Sequence, residues 1–281
     1  MRTVDLSEIT AAVRELFIEA NRRLPRSLQQ RISAAATEET SAVCQGIFQD
    51  MQENLKAATE LQLPICQDTG TAVVFAEVGQ DVHLVGTGDL LQAVTEGVRQ
   101  GYTDGFLRKS MVSDPLRRQN TGDNTPVILH TELVTGDRVR LTVAPKGAGS
   151  ENMSALKMMT PAASREDVMD FVVETVRAAG GNPCPPLVVG VGIGGNFEFA
   201  PYLAKKAVCR DIAVRNPDDD YAQMEAELLN RINQLGIGAQ GFGGSVTALA
   251  VNIEYYGVHI ASLPVAVNIG CHVTRHKTII L

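Results

Sequence analysis

Helical periodicity runs through residues 6–62 of this chain and then stops, and that break restricts the fold more than any other feature. Leu6, Ile9, Val13, Leu16, Phe17 and Ala20 recur at the spacing of one helix face, and Val43, Ile47, Met51, Leu55 and Ala58 do so again over residues 37–61. Pro25 sits well at the start of a new helix, and Pro64 ends the helical stretch. From residue 72 the texture is short apolar runs broken by glycine: Val73, Val74, Phe75 and Val78, then 82–85, with Gly79 and Gly86 between and after them. Helices return at 89–102, from the Ser164/Asp167 capping box through Ala179, at 197–207, and behind Asp218-Asp219-Asp220 as far as Gly236. Strands are expected at 127–133 and 138–143, joined as a hairpin by Thr135-Gly136-Asp137, and at 187–191, 246–253 and 258–267. The fold class is therefore α+β (mixed α/β): a helical part over 1–62 packed on a sheet-containing body over 63–281, within one domain.

A chain of 281 residues with 44% hydrophobic and 20% charged residues buries a real core, which excludes disorder as its main state. A net charge of -7 argues against a general nucleic-acid binder. No uninterrupted apolar run approaches the roughly 18 residues of a membrane span. The first sixteen residues mix acids and bases without the order of a secretory signal, so a cytoplasmic protein is expected.

Five cysteines, an odd number, do not form a disulfide framework. Cys44 and Cys209 lie in helical contexts and read as packing thiols. Cys66, Cys184 and Cys271 each lie in a loop punctuated by glycine or proline, the kind of segment that presents ligands on a rigid scaffold. No Cys-x-x-Cys pair is present, which excludes a zinc ribbon and a ferredoxin-type run. On spacing alone these three are thiolate ligands of a metal or cluster, or small residues filling tight turns. The same openness holds nearby. Asp68 reads as a turn aspartate, Arg108 as a solvated arginine, Gly149 as a turn glycine and His259 as a hydrogen-bonded core histidine inside an apolar strand.

Longer motifs carry more. Cys66-Gln67-Asp68-Thr69-Gly70, Pro145-Lys146-Gly147-Ala148-Gly149-Ser150-Glu151-Asn152-Met153-Ser154, Cys184-Pro185-Pro186 followed by Gly190-Val191-Gly192-Ile193-Gly194-Gly195, and Leu263-Pro264-Val265-Ala266-Val267-Asn268-Ile269-Gly270-Cys271-His272 occur in this order. Together they resemble class I, iron–sulfur fumarases and the related tartrate dehydratases over roughly residues 40 to 281. The resemblance implies a [4Fe-4S] cluster held by Cys66, Cys184 and Cys271, with one iron left open to act as a Lewis acid in the reversible hydration of fumarate to L-malate. It implies that Asp68, beside Gln67, is the acid for the leaving hydroxyl. Arg108 would clamp a substrate carboxylate, with Gly149, Asn152 and His259 lining the substrate pocket. The 146–154 segment resembles the fumarase form and favours fumarate over L-tartrate or a methylated fumarate. The chain stops ten residues after Cys271, where single-chain relatives continue, so the resemblance implies an α subunit. A separate, smaller β subunit would carry the catalytic base, and the expected assembly is a dimer of αβ pairs.

Two other readings compete. Gly190 to Gly195 fits G-x-G-x-x-G, with Asp211 near the position of a ribose-binding acid, which suggests a dinucleotide. A redox carrier would need a fourth thiolate, and only Cys44 or Cys209 remains to supply it. His272 and His276 read as tail or interface residues.

Overall fold

A computed structural model describes residues 2–281. The elements are β1 (Arg2–Asp5), α1 (Leu6–Arg22), α2 (Arg26–Glu38), α3 (Ala42–Leu61), β2 (Thr71–Gly79), β3 (Val82–Val85), α4 (Leu90–Asp104), β4 (Ile128–Val134), β5 (Val139–Lys146), α5 (Ala148–Glu151), β6 (Ala155–Met159), α6 (Arg165–Ala179), β7 (Leu187–Gly195), α7 (Phe199–Val208), α8 (Asp219–Asn233), β8 (Ala248–Val258), β9 (Leu263–Gly270) and β10 (Lys277–Ile280). The fold is mixed α+β. Among the described residues no helix is long and apolar enough to cross a membrane.

The chain divides into two compact units. The first comprises Met1–Pro25, Leu55–Ala148 and Arg275–Leu281, and the second Arg26–Asn54 and Gly149–Thr274. In the first unit a four-stranded sheet has the order β10-β5-β2-β4, beside a small parallel pair of β1 and β3. Strand β2 pairs antiparallel with β5 and parallel with β4. The expected hairpin between β4 and β5 is therefore not formed, because β2 lies between them. Its run Ala72 to Ala76 is buried throughout, which suits a central strand, whereas β4 alternates between exposed and half-buried positions as an edge strand does. Helix α1 turns Ile9, Val13, Leu16 and Phe17 onto α4 and β5, against Val94, Val98, Tyr102, Val139 and Leu141. The helices meet closely because α4 carries glycine at the crossing: a Cβ at Gly97 would stand 2.6 Å from the Thr10 carbonyl. Asp89 closes a capping box with Gln92 at the start of α4.

In the second unit the sheet order is β6-β9-β7-β8. Strand β7 is buried on both faces. Leu187, Val189, Val191 and Ile193 meet Val172 and Val176 of α6 and Leu228 and Ile232 of α8. The opposite face carries Gly190 and Gly192, and α7 lies directly on it: a Cβ would stand 2.3 Å from the Ala204 carbonyl at Gly190 and 2.1 Å from the Ala200 carbonyl at Gly192. Both expected helix starts are present. Ser164 and Asp167 form the capping box of α6, and the Asp218 carboxylate accepts from Asp220 N–H at 3.0 Å at the start of α8. Strands β8 and β9 start later than expected. Residues 259–262 form a turn between them, held by the Ser262 N–H to His259 carbonyl bond at 2.9 Å.

Candidate functional site

Within the first unit the Cys66 loop is fastened at Leu63, Ile65, Asp68, Thr69 and Gly70. Leu63 N–H donates to the Ala58 carbonyl and Ile65 N–H to the Asn21 carbonyl at 2.8 Å. The Asp68 carboxylate accepts twice: Oδ1 from Gly70 N–H at 3.0 Å and Oδ2 from Ala148 N–H at 2.8 Å. Thr69 Oγ1 donates to the Arg108 carbonyl at 2.7 Å, which ties the Arg108 backbone to this loop, and the Arg108 side chain is exposed. Gly70 has φ +83, and a Cβ there would stand 2.6 Å from Lys146 N, so only glycine lets β2 begin this close to the end of β5. Cys66 is half-buried and Gln67 exposed, with Cys66 Sγ 3.4 Å from Gln67 Oε1.

Three residues outside the expected set hold this loop. Tyr102, fully buried on α4, shares its hydroxyl proton between the Thr69 carbonyl at 2.7 Å and the Gly70 carbonyl at 2.8 Å. Burial pushes the Tyr102 phenol well above its ordinary range, with Arg275 pulling it down and Asp68 pushing it up, so it remains a donor. Asn124, buried with φ +63, donates from Nδ2 to the Gly70 carbonyl at 3.1 Å and accepts Ser110 N–H on Oδ1 at 2.8 Å. Arg275 donates from Nη2 to the Asp68 carbonyl.

The second unit brings the other two cysteine loops together. The Cys184 carbonyl accepts His272 N–H at 3.3 Å and lies 3.0 Å from His272 Nδ1. A carbonyl is acceptor only, so the proton of this ring sits on Nδ1 in that contact. Cys184 is exposed, at φ +56, a conformation that side chains rarely adopt and that the neighbouring structure must enforce. The 238–245 loop enforces it: Gln240 N–H donates to the Pro185 carbonyl at 2.8 Å, Gln240 Nε2 donates to the same carbonyl at 2.9 Å, and Nε2 lies 3.3 Å from His272 Nδ1. Gly241 and Gly181 pass so closely that a Cβ at Gly241 would stand 2.8 Å from the Gly181 Cα. Glu39 in turn anchors this loop. Its buried carboxylate accepts from the backbone of Thr40, Ser41, Ser245 and Val246. Burial pushes the Glu39 carboxyl up, the four N–H donors outweigh it, and the group lies below its ordinary value.

The 149–154 segment joins the same unit's sheet. Asn268, three residues before Cys271, donates from Nδ2 to Glu151 Oε2 and to Ser154 Oγ, both at 2.9 Å. Lys205 of α7 closes an ion pair with Glu151. A cavity of about 210 Å³ opens here, lined by Glu151, Ser154, Lys205 and Asn268 among others. Gly149 and Asn152 are exposed on this segment.

Two expectations are corrected. His259 is not a core histidine in a strand. It is exposed in the turn between β8 and β9, where its Nδ1 accepts Ala261 N–H at 3.1 Å, because β8 ends at Val258 and the chain must turn before β9. The glycine motif at 190–195 is not a phosphate-binding turn. All six residues lie within β7, and Gly190 and Gly192 are explained by the close approach of α7. Asp211 accepts Ala213 N–H at 2.9 Å in a local turn. The dinucleotide reading loses its geometric basis.

None of the five cysteines is in a disulfide. Cys44 is buried, its thiol 2.8 Å from the Gly243 carbonyl, and Cys209 caps the end of α7. Cys66, Cys184 and Cys271 are each at least partly accessible. Among the described residues no three His, Cys, Asp or Glu side chains gather as a metal-binding group. The donor chemistry nevertheless suits a thiolate-bound cluster: three free cysteines in loops, two of those loops bonded to each other, with Cys44 buried in α3 and Cys209, partly accessible, at the end of α7.

A mixed α+β chain with accessible cysteines on built loops defines a class of candidate cluster proteins, and sequence comparison narrows it. The fumarate hydratase (Fumerase) family model matches residues 10–280, and the chain belongs to that family. It is 42% identical over 273 residues, 95% of each chain, to a Methanocaldococcus jannaschii protein named "Putative L(+)-tartrate dehydratase subunit alpha". It is 30% identical over 279 residues, 98% of this chain and 91% of the relative, to the L(+)-tartrate dehydratase subunit alpha of Escherichia coli O157:H7.

Proposed function

We propose that this chain is the α subunit of an iron–sulfur hydro-lyase that interconverts fumarate and L-malate. The bond between the Cys184 and Cys271 loops, with Gln240 buttressing the Cys184 side through the Pro185 carbonyl, carries the reading. Reduced, accessible thiols on loops held this firmly suit a cluster better than they suit packing. Cys66, Cys184 and Cys271 would hold a [4Fe-4S] cluster. Such a cluster supplies a Lewis-acidic iron toward a hydroxyl and a carboxylate oxygen.

This chain's own residues would do the rest. Asp68, oriented by N–H donors on both oxygens, would carry the proton for the departing hydroxyl, with Gln67 beside it. Arg108, exposed on the strip tied to the same loop, would bind a substrate carboxylate. Gly149 and Asn152 would line the substrate through backbone and amide groups, and His259 would join them from its turn. The names of the relatives point to a separate β subunit, which would supply the base that removes the second proton. The protein would work in the cytoplasm as a dimer of αβ pairs.

A second reading takes L-tartrate as substrate, giving oxaloacetate and water. The tartrate dehydratase names of the similar proteins favour it, and the Gly149-Ser150-Glu151-Asn152 pattern favours fumarate. Anaerobic co-expression with the neighbouring small subunit tests both, by comparing kcat/KM for L-malate and L-tartrate alongside cluster absorbance. A ratio above one for malate supports the proposal and a ratio below one replaces it with tartrate. Full turnover by the purified α chain alone overturns the partner requirement.

A further inference from the structure

Arg275 is 3% exposed, yet its guanidinium makes one hydrogen bond, from Nη2 to the Asp68 carbonyl. Nε and Nη1 are buried with no hydrogen-bond partner among the described residues. A buried guanidinium without a paired carboxylate is unfavourable. Packing alone would be served better by methionine, an unbranched apolar side chain that follows most of the same path. Its surroundings say what the charge does there. Tyr102, which holds the next two carbonyls of the same loop, feels both Arg275 and Asp68. Three successive carbonyls, those of Asp68, Thr69 and Gly70, are thereby turned inward onto fixed donors. That rotation sends the Asp68 side chain toward Gly70 N–H and Ala148 N–H.

We infer that Arg275 is a positioning residue. It grips the Asp68 carbonyl from the segment ahead of β10, and so fixes the direction of the Asp68 carboxylate and of the Cys66 turn before it. Lysine does not replace it. A single ammonium on a shorter reach loses the flat group that fills this site and the geometry of the bond. The inference deepens the hydro-lyase reading, because that reading gives Asp68 and Cys66 their roles, but its test does not depend on turnover.

The test is hydrogen exchange on the full-length, reduced chain without added metal, comparing wild type with Arg275→Lys and Arg275→Met. Four amides of the first unit are followed: Gly70 and Ala148, which donate to Asp68, and Gly79 and Leu281, which donate to the carbonyls of Arg138 and Val139. Loss of the guanidinium's bond to the Asp68 carbonyl, in either variant, is expected to speed exchange at Gly70 and Ala148 about tenfold or more and to leave Gly79 and Leu281 within about twofold. Alkylation of Cys66 by iodoacetamide should rise in step, measured against Cys184 and Cys271 in the same molecule. If all four amides accelerate together, Arg275 is a general packing residue and the inference fails. Unchanged Gly70 and Ala148 overturn it too. Where Arg275→Met does not fold, the Arg275→Lys exchange pattern decides the question by the same criteria. If the αβ enzyme is inactive on malate and tartrate alike, the hydro-lyase reading falls while the exchange result stands.

Discussion

The loop of Cys66 and the paired loops of Cys184 and Cys271 are held by opposite means. Around Cys66 the fasteners are large buried polar side chains: Tyr102, Asn124 and Arg275 each reach a backbone carbonyl of residues 68–70. Around Cys184 and Cys271 the backbone does most of the holding. Gly181 and Gly241 touch, Gln240 reaches Pro185, and Gly190 and Gly192 seat the β7 strand that follows Cys184 on α7. Side-chain clamps fail by losing a donor, and their failure is local. Glycine-built contacts fail by gaining a carbon, and the strain passes into packed backbone, which has little room to relax. The two regions should therefore answer mutation differently.

The largest effect is expected from Gly192→Ala. Its Cβ would stand 2.1 Å from the Ala200 carbonyl and 2.6 Å from Ala204 N, so α7 must move off the sheet. A loss of about 3 kcal/mol or more is expected, read as the midpoint shift in urea unfolding. A loss below about 1 kcal/mol would mean that this packing yields easily, and the contrast between the regions would break.

Glu39→Gln comes next and is the exception within the second unit, a side-chain clamp on a glycine loop. The amide keeps one acceptor oxygen and turns an NH2 toward backbone donors, so about 2 kcal/mol should be lost at pH 7. The folded carboxyl lies below its ordinary value of 4.5. Its ionised form therefore stabilises the fold above about pH 4.5, and that contribution disappears as pH falls through the lower folded value. The difference between Glu39→Gln and wild type should shrink toward zero as pH is lowered below 4.5. A difference that holds constant from pH 7 to 3 would show that lost packing, not the charge, is responsible.

Tyr102→Phe sharpens the first-unit side of the comparison. It keeps the ring against Phe17 and removes only the donor to the Thr69 and Gly70 carbonyls. A loss of about 1–2 kcal/mol is expected, together with faster exchange at Gly70 and unchanged exchange in the β7–β9 ladder. Equal acceleration in both sheets would show that the clamp is not local.

Much of this contrast was hidden in the sequence, for a physical reason. Signals that act within a few residues were legible: the Ser164–Asp167 capping box, the Asp218 cap, the breaks at Pro25 and Pro64, and the loop placement of Cys66, Cys184 and Cys271. Signals that depend on distant neighbours were not. Nothing between residues 127 and 146 reveals that β2 will insert between β4 and β5. Gly190 and Gly192 resemble a nucleotide loop until α7 is seen lying on them. Tyr102, Gln240 and Arg275 belong to no motif, because their roles are set by carbonyls 32, 55 and 207 residues away. The one local hint was charge: Arg275 and Lys277 follow directly on an apolar strand and Cys271.

The smallest effect is expected from Cys44→Ser. The thiol is fully buried on α3 and contacts the Gly243 carbonyl at 2.8 Å, so it fastens the same glycine loop that Glu39 anchors, but with a weak donor. Serine keeps a donor of nearly the same shape and gives a stronger hydrogen bond, against the expense of burying a hydroxyl. The two largely offset, and a change within about 1 kcal/mol is expected. The proposed cluster reading adds a second outcome for the same variant: Cys44→Ser should leave iron loading intact, whereas serine at Cys184 should abolish it. Loss of iron with Cys44→Ser at unchanged stability would place this thiol among the ligands. It would then take away the distinction between packing and loop cysteines on which the cluster proposal stands.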